Sequence, residues 1–322
     1  MILRCLAVGL LAFLSVTAAG PVRALADMPV VKIAVLKFGT VNWLMDTVKS
    51  RGLDAEEGFE LDVLGLAGKP ATDIAFQSGE VDLVVTDWIW ALGQRAKGKD
   101  LRFSPYLNAS GALVTTPDLG GLCALKGKRI GVVGGAKDKS WLILQALAER
   151  DCGFDLVRET EALFGAPPLM SRQLTDGAVD AVSTYWHFVA KLEAAGMEQS
   201  IRISEALAEL GVDPAPPLIG FVWDPARTEQ GKSRAFLRAV ARAGEILATD
   251  DAMWEALRPK MRVKTDAEFV GLRDAYRAGI PDPWTASDTA SSRKLYDLLV
   301  SLGGPSLVQS TGPFDPDVFN NP

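Results

Sequence analysis

The sequence predicts an α/β protein built from two similar lobes, and two observations carry that prediction. Apolar runs with strand character alternate with helical segments of about ten residues, which favours parallel strands joined by crossover helices. The same order of segments also occurs twice. Ser78–Ala91 and Asp176–Val189 share six identities at an offset of 98 residues, and Trp43 meets Trp141 at that same offset. One offset that joins separate loops indicates one fold built twice.

In the first half, strand character and helical spacing follow each other from Val30 onward. A helix that ends at Gly79 is expected there, because a left-handed cap needs no Cβ. In chain order, the predicted elements are a strand at Val30–Leu36, a helix at Asn42–Arg51, a strand at Phe59–Leu66, a helix at Pro70–Ser78 and a strand at Val81–Thr86.

The second half repeats this order and is linked to the first by two apolar runs. Its predicted elements are a strand at Lys128–Val133, helices at Asp138–Arg150 and Pro167–Thr175, and a strand at Val179–Thr184. Ala112–Thr116 and Pro217–Trp223 suit strands that cross from one lobe to the other and back. The tail from Gly231 to Leu302 has helical spacing and no chemical motif.

The first 26 residues have the pattern of a secretory signal peptide. Arg4 and Arg23 flank the apolar stretch Cys5–Ala19, and Ala24-Leu25-Ala26 follows as a small-residue cleavage site. A short anchor helix is the alternative, but the stretch is shorter than the roughly 20 residues that a membrane span needs. The sequence therefore predicts secretion, with a mature chain of about two domains that begins at Asp27.

Charge and cysteine content narrow the function classes. The chain has 34 Lys and Arg against 40 Asp and Glu, and loss of the two arginines of the signal peptide leaves a net charge of −8, which disfavours nucleic-acid binding. Two cysteines remain, Cys123 and Cys152. In an oxidising compartment such a pair favours a disulfide; two separately buried thiols are the alternative.

Ligands of open parallel sheets bind beyond the carboxyl ends of the strands, where helix N-termini offer N–H groups. Four of the eight tryptophans fall in these loops, which suggests a cleft wall, although Trp88 and Trp186 could instead pack inward from the first turn of a helix. Asp87 follows a strand and corresponds to Tyr185 in the repeat, so its carboxylate has no symmetric partner. The predicted ligand-binding residues are Phe38, Thr40, Asn42, Trp43, Lys69, Asp87, Trp88, Asp138, Lys139, Ser140, Trp141, Tyr185, Trp186 and His187.

Motifs for catalysis or metal binding are missing from the sequence. Gly131–Lys137 lacks the order of a phosphate-binding loop, and neither Gly-x-Ser-x-Gly nor His-Glu-x-x-His occurs. His187 is the only histidine, and the aspartates Asp46, Asp87 and Asp138 have no calcium-loop spacing. The sequence therefore predicts neither an enzyme nor a bound cofactor or metal.

The chain resembles the periplasmic substrate-binding proteins of ABC importers, in the nitrate, sulfonate, taurine and thiamine-pyrimidine-precursor group. The resemblance covers nearly the whole mature chain and is carried by Ser78–Asp82, Leu125–Val132 and Gly177–Val182. More narrowly, four segments resemble a subgroup associated with quinoprotein alcohol dehydrogenase and lanthanide uptake. These are Leu36–Trp43, Thr86–Trp90, Asp138–Trp141 and Thr184–His187.

The resemblance implies a periplasmic-binding-protein-like fold of type II, with two crossover strands. It divides the chain into residues 27–111 and 221–322 for lobe 1 and residues 112–220 for lobe 2. It also implies a monomeric receptor that closes on a small solute and docks on an inner-membrane ABC permease. The tryptophan, tyrosine and aspartate in the loops favour an aromatic or zwitterionic organic solute. The alternatives are a receptor for a metal or lanthanide chelate or a quinone cofactor, and an enzyme similar to the pyrimidine synthase of this fold.

Overall fold

The computed structural model describes residues 28–308 and 312–319. The signal peptide predicted for residues 1–26 lies outside the described residues. Ten strands run along the described chain: β1 Val30–Leu36, β2 Glu60–Leu66, β3 Leu83–Asp87, β4 Arg102–Leu107, β5 Ala112–Thr115, β6 Arg129–Val133, β7 Glu161–Gly165, β8 Ala181–Thr184, β9 Glu198–Arg202 and β10 Ile219–Trp223.

Thirteen α-helices connect and cover these strands within the described ranges. They are α1 Val41–Ser50, α2 Leu53–Glu56, α3 Lys69–Ser78, α4 Trp88–Arg95, α5 Lys139–Cys152, α6 Pro167–Thr175, α7 Trp186–Ala194, α8 Ile203–Glu209, α9 Gln230–Thr249, α10 Asp251–Met261, α11 Asp266–Ala278, α12 Ala286–Gly303 and α13 Pro305–Val308. Short 3-10 helices occur at Leu122–Leu125 and Pro316–Phe319. No helix among the described residues combines the length and the apolar character needed to cross a bilayer.

Two five-stranded sheets have the same arrangement. The first has the order β2-β1-β3-β10-β4 and the second the order β7-β6-β8-β5-β9. In each sheet the first three strands are parallel, and the crossover strand, β10 or β5, runs antiparallel to its neighbours. The α/β fold class of type II predicted from the sequence is confirmed, and the sheets are mixed rather than purely parallel.

The repeated aspartates of the sequence have the same structural role in both sheets. Asp82 accepts a hydrogen bond from the backbone N–H of Lys32 at 2.8 Å, and Asp180 accepts one from the backbone N–H of Arg129 at 2.8 Å. Asp82 thereby ties β1 to the segment before β3, and Asp180 ties β6 to the segment before β8. These backbone N–H groups lie beyond the residues of β1 and β6 that pair with β3 and β8, and they need an acceptor. These two identities of the repeat serve the fold and not the site.

The C-terminal helices pack on both halves of the chain. Helix α9 lies against α1, while α11 lies against α7 and α12 against α5. The segment around Phe314 and Phe319 returns to the first half and covers Trp88, with ring centroids 6.1 and 5.7 Å apart. The second sheet is thus held to the first by packed helices as well as by the crossover strands.

A disulfide joins Cys123, in the first 3-10 helix, to Cys152 at the end of α5. The sequence favours this bridge over two separate thiols. It closes a separation of 29 residues around β6 and α5 and therefore reduces the freedom of that segment in the unfolded chain.

Candidate functional site

The carboxyl ends of the parallel strands of the two sheets face each other. Asp87 is the last residue of β3 in the first sheet, and Lys139 is the first residue of α5, which follows β6 in the second. The Lys139 Nζ lies 3.4 Å from the Asp87 Oδ1. This ion pair places the two loops at opposite sides of one interface, where the sequence predicted a cleft.

Asp87 is fixed by its position at the start of α4. Its Oδ1 accepts the backbone N–H of Trp90 at 2.8 Å, so the side chain caps the helix, and the residue is buried. Burial alone would raise the pKa of this carboxyl. The ammonium groups of Lys139 and Lys69 and the Trp90 N–H outweigh burial and hold the pKa of Asp87 below its usual range.

Lys69, at the start of α3, is held by three polar groups and one ring. Its Nζ donates to the Thr86 hydroxyl, lies 3.3 Å from an Asp73 carboxylate oxygen and 3.9 Å from the Asp87 Oδ2. The same ammonium lies 5.2 Å from the centre of a Trp90 ring. Burial raises the pKa of Asp73, partly opposed by Lys69. Two lysines therefore meet two carboxylates, Asp87 and Asp73, and this centre largely neutralises its own charge.

On the second sheet, Asp138 caps α5. Its Oδ1 accepts the backbone N–H groups of Ser140 at 2.9 Å and Trp141 at 3.2 Å. Gly134 allows the approach: its φ is +93°, and a Cβ there would lie 2.5 Å from the Asp138 Oδ2. Burial raises the pKa of Asp138, and burial together with the charge of Asp138 raises the pKa of Tyr185 to about 12. The phenol of Tyr185 is therefore a neutral group beside the cleft.

Two of the predicted ligand-binding residues hold the loop after β1 together. The Asn42 Nδ2 donates to the carbonyl oxygens of Leu36 at 2.9 Å and Gly39 at 2.7 Å. Thr40 is buried, and its Oγ1 accepts the Tyr106 hydroxyl at 3.1 Å. Both side chains have partners, in the loop for Asn42 and on β4 for Thr40, and they hold the loop that carries Phe38.

The four tryptophans are not equivalent, and the structure corrects the expectation that all of them line a cleft. Trp88 and Trp141 have 0% and 1% of their surface exposed and lie in the hydrophobic core. The Trp88 Nε1 donates to the Pro217 carbonyl at 3.1 Å. Trp88 and Trp141 lie in the first turn of α4 and α5, and their side chains point inward. An indole ring covered by apolar neighbours is more stable than one exposed to water.

Trp43 and Trp186 lie instead at the contact between the two halves. Their ring centroids are 6.1 Å apart in an edge-to-face arrangement. Trp43 is buried and also contacts Trp254 of α10 and Tyr276 of α11 at 5.8 and 5.9 Å, whereas Trp186 is half-buried. This aromatic cluster joins α1, α7, α10 and α11, and it is a packing contact between the halves.

His187 has a buried nitrogen without a partner. Its Nδ1 is inaccessible to water and has no hydrogen bond to any described residue, and the hydroxyl of Thr184 at the end of β8 is in the same state. Burial and the nearby charge of Lys191 lower the pKa of His187 to about 4. The imidazole is therefore neutral at physiological pH and has one unused polar atom.

Exposed apolar side chains occur at the strand ends of both sheets. A contiguous group of such side chains is typical of a surface that binds a ligand or a partner. Five lie at the carboxyl ends of the parallel strands or beside Asp87: Leu36, Phe38, Phe164, Tyr185 and Ile219. Sequence reasoning selected Phe38 and Tyr185 and missed the other three, since an apolar residue at the end of a strand has the same pattern as a core residue.

The described residues also show what is not at this site. A surface hollow of about 330 Å³ lies between α1 and α10, with Asp46 and Lys260 paired at 2.6 Å on its wall, away from the strand ends. No group of three or more His, Cys, Asp or Glu side chains able to hold a metal ion occurs among the described residues. The polar centre between the sheets therefore consists of ammonium and carboxylate groups.

A family model described as NMT1/THI5 like matches residues 47–251, which is more than half of the 322 residues. The chain belongs to the NMT1/THI5 like family. The family resemblance predicted from the sequence is thus confirmed at this level, and the narrower quinoprotein and lanthanide subgroup stays a prediction. A search of the curated proteins gave no match.

Solved structures similar to this NMT1/THI5 like protein share its fold. The alkanesulfonate-binding protein SsuA from Xanthomonas axonopodis pv. citri is 16% identical over 87% of this chain and 95% of its own, with a TM-score of 0.66. The aliphatic sulphonate binding protein SsuA from Escherichia coli is 14% identical over 89% of this chain and 93% of its own, with a TM-score of 0.66. The desulfurization enzyme DszB is 17% identical over 88% and 97%, with a TM-score of 0.57. Because both binding proteins and an enzyme have this fold, the fold alone does not decide the function.

Proposed function

We propose that this chain is a non-catalytic solute receptor, which binds a small aromatic or zwitterionic organic molecule between its halves. The observation that carries the proposal is the interface at the strand ends, where the Lys139 Nζ lies 3.4 Å from the Asp87 Oδ1. Exposed Phe38, Phe164 and Tyr185 lie at or just after the carboxyl ends of β1, β7 and β8. Aromatic and apolar surface around a few fixed charges is the usual composition of a small-molecule site.

The lobes of this receptor are those suggested by the resemblance, residues 27–111 with 221–322 and residues 112–220. We further propose that the protein is secreted to the periplasm, acts as a monomer and delivers its solute to an ABC permease. Similar structures that bind sulfonates, the SsuA proteins, support the receptor role. The pKa of about 4, which makes the half-buried His187 a weak base, and the disulfide between Cys123 and Cys152 support the absence of a catalytic base or thiol.

The identity of the solute is tested by native mass spectrometry of the protein purified from periplasm, before and after denaturing release of bound molecules. We expect one organic compound in about one-to-one ratio. Addition of that compound to the stripped protein should change tryptophan fluorescence, because Trp43 and Trp186 contact each other between the halves. Recovery of the protein without any small molecule, and without a fluorescence response to periplasmic extract, would contradict the receptor proposal.

The position of the site is tested with matched variants. Phe164→Ala and Tyr185→Ala remove exposed apolar surface at the strand ends, whereas Ile74→Ala removes exposed surface from α3. Loss of an aromatic contact should weaken solute binding about tenfold. The Ile74 variant should bind as the unchanged protein does. Equal affinities in all three variants would move the site away from the strand ends.

A further inference from the structure

Four cationic side chains gather beside Phe38 and along α7: Lys37, Lys191, Arg262 and Lys264. The Arg262 guanidinium carbon lies 4.3 Å and the Lys37 Nζ 5.9 Å from the centre of the Phe38 ring. The Lys191 Nζ donates to the carbonyl oxygen of Arg262 at 3.3 Å. This basic seam spans both halves, since Lys191 belongs to α7 of the second and the other three side chains lie next to elements of the first.

Among the described residues, the cations of the basic seam have no direct ion-pair partner, although Glu268 lies near them. Along the described part of the chain, none of its four cations forms an ion pair within 4 Å with an acidic side chain. Glu268 is the nearby carboxylate, and its Oε2 accepts the backbone N–H of Lys264 at 2.7 Å. Burial lowers the pKa of Lys191, and the charges of Lys264 and Arg262 lower it further against the opposing effect of Glu268. In contrast, Lys69 and Lys139 already face Asp87 and Asp73.

Backbone geometry at Arg262 is a second sign that the seam is built for a ligand. Arg262 follows α10 with φ at +55°, in the left-handed region that favours glycine at the end of a helix. An arginine there is held in a less stable conformation, and such positions concentrate at binding sites. The side chain that this conformation presents is the one that covers Phe38.

An unpartnered buried atom adjoins the same seam. His187 precedes Lys191 by four residues on α7, so both side chains lie on one face of that helix. The Nδ1 of His187 is inaccessible to water and has no hydrogen-bond partner. Its ring is stacked 6.3 Å from that of the exposed Tyr185, which connects this face of α7 to the strand-end site.

We propose that the basic seam receives the acidic group of the solute and that Phe38 contacts its aromatic body. The inference rests on the proposed function, since it names one end of the bound molecule. The solute is then an aromatic acid, with its anion beside Lys191 and Arg262. An anion would neutralise the net positive charge that four cations and Glu268 leave in the seam, and the half-buried position of Lys191 would make that attraction stronger than at an open surface.

The experiment uses benzoate as the probe, with benzyl alcohol and benzylamine as neutral and cationic analogues, in calorimetric titrations at low salt. The unchanged protein should bind benzoate at least about tenfold more tightly than either analogue. Arg262→Gly removes the guanidinium and at the same time suits the positive φ, so its thermal stability should not fall. Arg262→Gly and Lys191→Met should each weaken benzoate binding about tenfold. Lys294→Met removes an exposed charge from α12 and should leave the affinity unchanged.

Three results would overturn the basic seam as an anion subsite. They are equal binding of benzoate and benzyl alcohol, benzoate affinity unaffected by both seam variants, and no benzoate binding by a protein that binds its own periplasmic solute. The third result also separates the two proposals, because the solute receptor would stand while the anion subsite would not. A protein that binds neither its extract nor benzoate contradicts both.

Discussion

Replacement of Asp87 by asparagine tests the contact between the two sheets. Asparagine keeps the shape of the side chain and caps a helix as well as aspartate does, so the hydrogen bond from the Trp90 N–H should remain. What disappears is the negative charge that faces Lys139 at 3.4 Å and Lys69 at 3.9 Å. The variant therefore isolates the electrostatic part of the interface.

The magnitude follows from the burial of the three side chains. Exposed ion pairs contribute about 0 to 1 kcal/mol, whereas removal of one partner from a buried pair costs about 3 to 5 kcal/mol. The Asp87 side chain is 7% exposed, but Lys139 is 26% and Lys69 is 43% exposed, so water screens the cations. Asp87→Asn should therefore lower the free energy of unfolding by about 2 kcal/mol, and its coupling to Lys139→Met should be about 1 kcal/mol.

Urea unfolding followed by far-ultraviolet circular dichroism measures both values. At neutral pH the single variants and the double variant give the coupling energy. The pKa of Asp87 is held below its usual range, so this stabilisation is present above the pKa of the unfolded carboxyl and is lost as the pH falls below about 4. Asp87→Asn should lose less stability than the unchanged protein over that acid range. The ion pair as a link between the sheets would be refuted by a coupling energy of zero together with an equal loss of stability at acid pH in Asp87→Asn and the unchanged protein.

Three further predictions concern single groups. The pKa of His187 is about 4 in the fold against 6.5 for a free histidine, so acidification from pH 6.5 toward pH 4 should cost up to about 3 kcal/mol of stability. Urea unfolding of His187→Gln should show a smaller loss over this pH range. An identical dependence of stability on pH in the variant and the unchanged protein would contradict the neutral ring. Cys123→Ser breaks a disulfide that spans 29 residues and should lower the free energy of unfolding in urea by about 3 to 4 kcal/mol. A loss below about 1 kcal/mol, measured against the unchanged protein in its oxidised form, would contradict this stabilising role. Gly134→Ala would place a Cβ 2.5 Å from the Asp138 carboxylate, whereas Gly135 has a similar φ and open space around it. Gly134→Ala should therefore cost about 2 kcal/mol more stability than Gly135→Ala. Equal shifts of the melting temperature in the two variants would contradict the close contact between Gly134 and the helix cap.

Much of the fold follows from sequence pattern alone, because strands and helices alternate with clear boundaries. The predicted bounds of the strand at Val30–Leu36 and the helix at Pro167–Thr175 are those of the structure. Strands β4, β7 and β9 were not predicted, and all three lie at the edge of a sheet. Strand β4 contains Pro105 and β9 is mostly polar, and an edge strand tolerates both because one side of its backbone faces no neighbour.

Less of the candidate site follows from the sequence. Asp87 and Lys139 were selected because ligands of open parallel sheets bind beyond the carboxyl ends of the strands. Their contact could not be predicted, since the two residues are 52 positions apart in the sequence. The rule failed for Trp88, because a tryptophan in the first turn of a helix can turn to either side. Its covering residues, Phe314 and Phe319, come from a tail that has no recognisable motif. Long-range burial of this kind has no local signature.

Divergence of the matching loops supplies the ion pair that links the twin halves at the strand ends. Asp87 and Tyr185 are equivalent at the offset of 98 residues, so one half carries a carboxylate where the other carries a phenol. Tyr185 lies near Asp138 of its own half, so an aspartate at position 185 would place a second negative charge beside Asp138 at a cost in stability. Lys139 corresponds to Val41, so the partner of Asp87 also comes from a position where the halves differ. Substitution at non-equivalent loop positions therefore lets one half supply the carboxylate and the other half the ammonium group of the ion pair that links them.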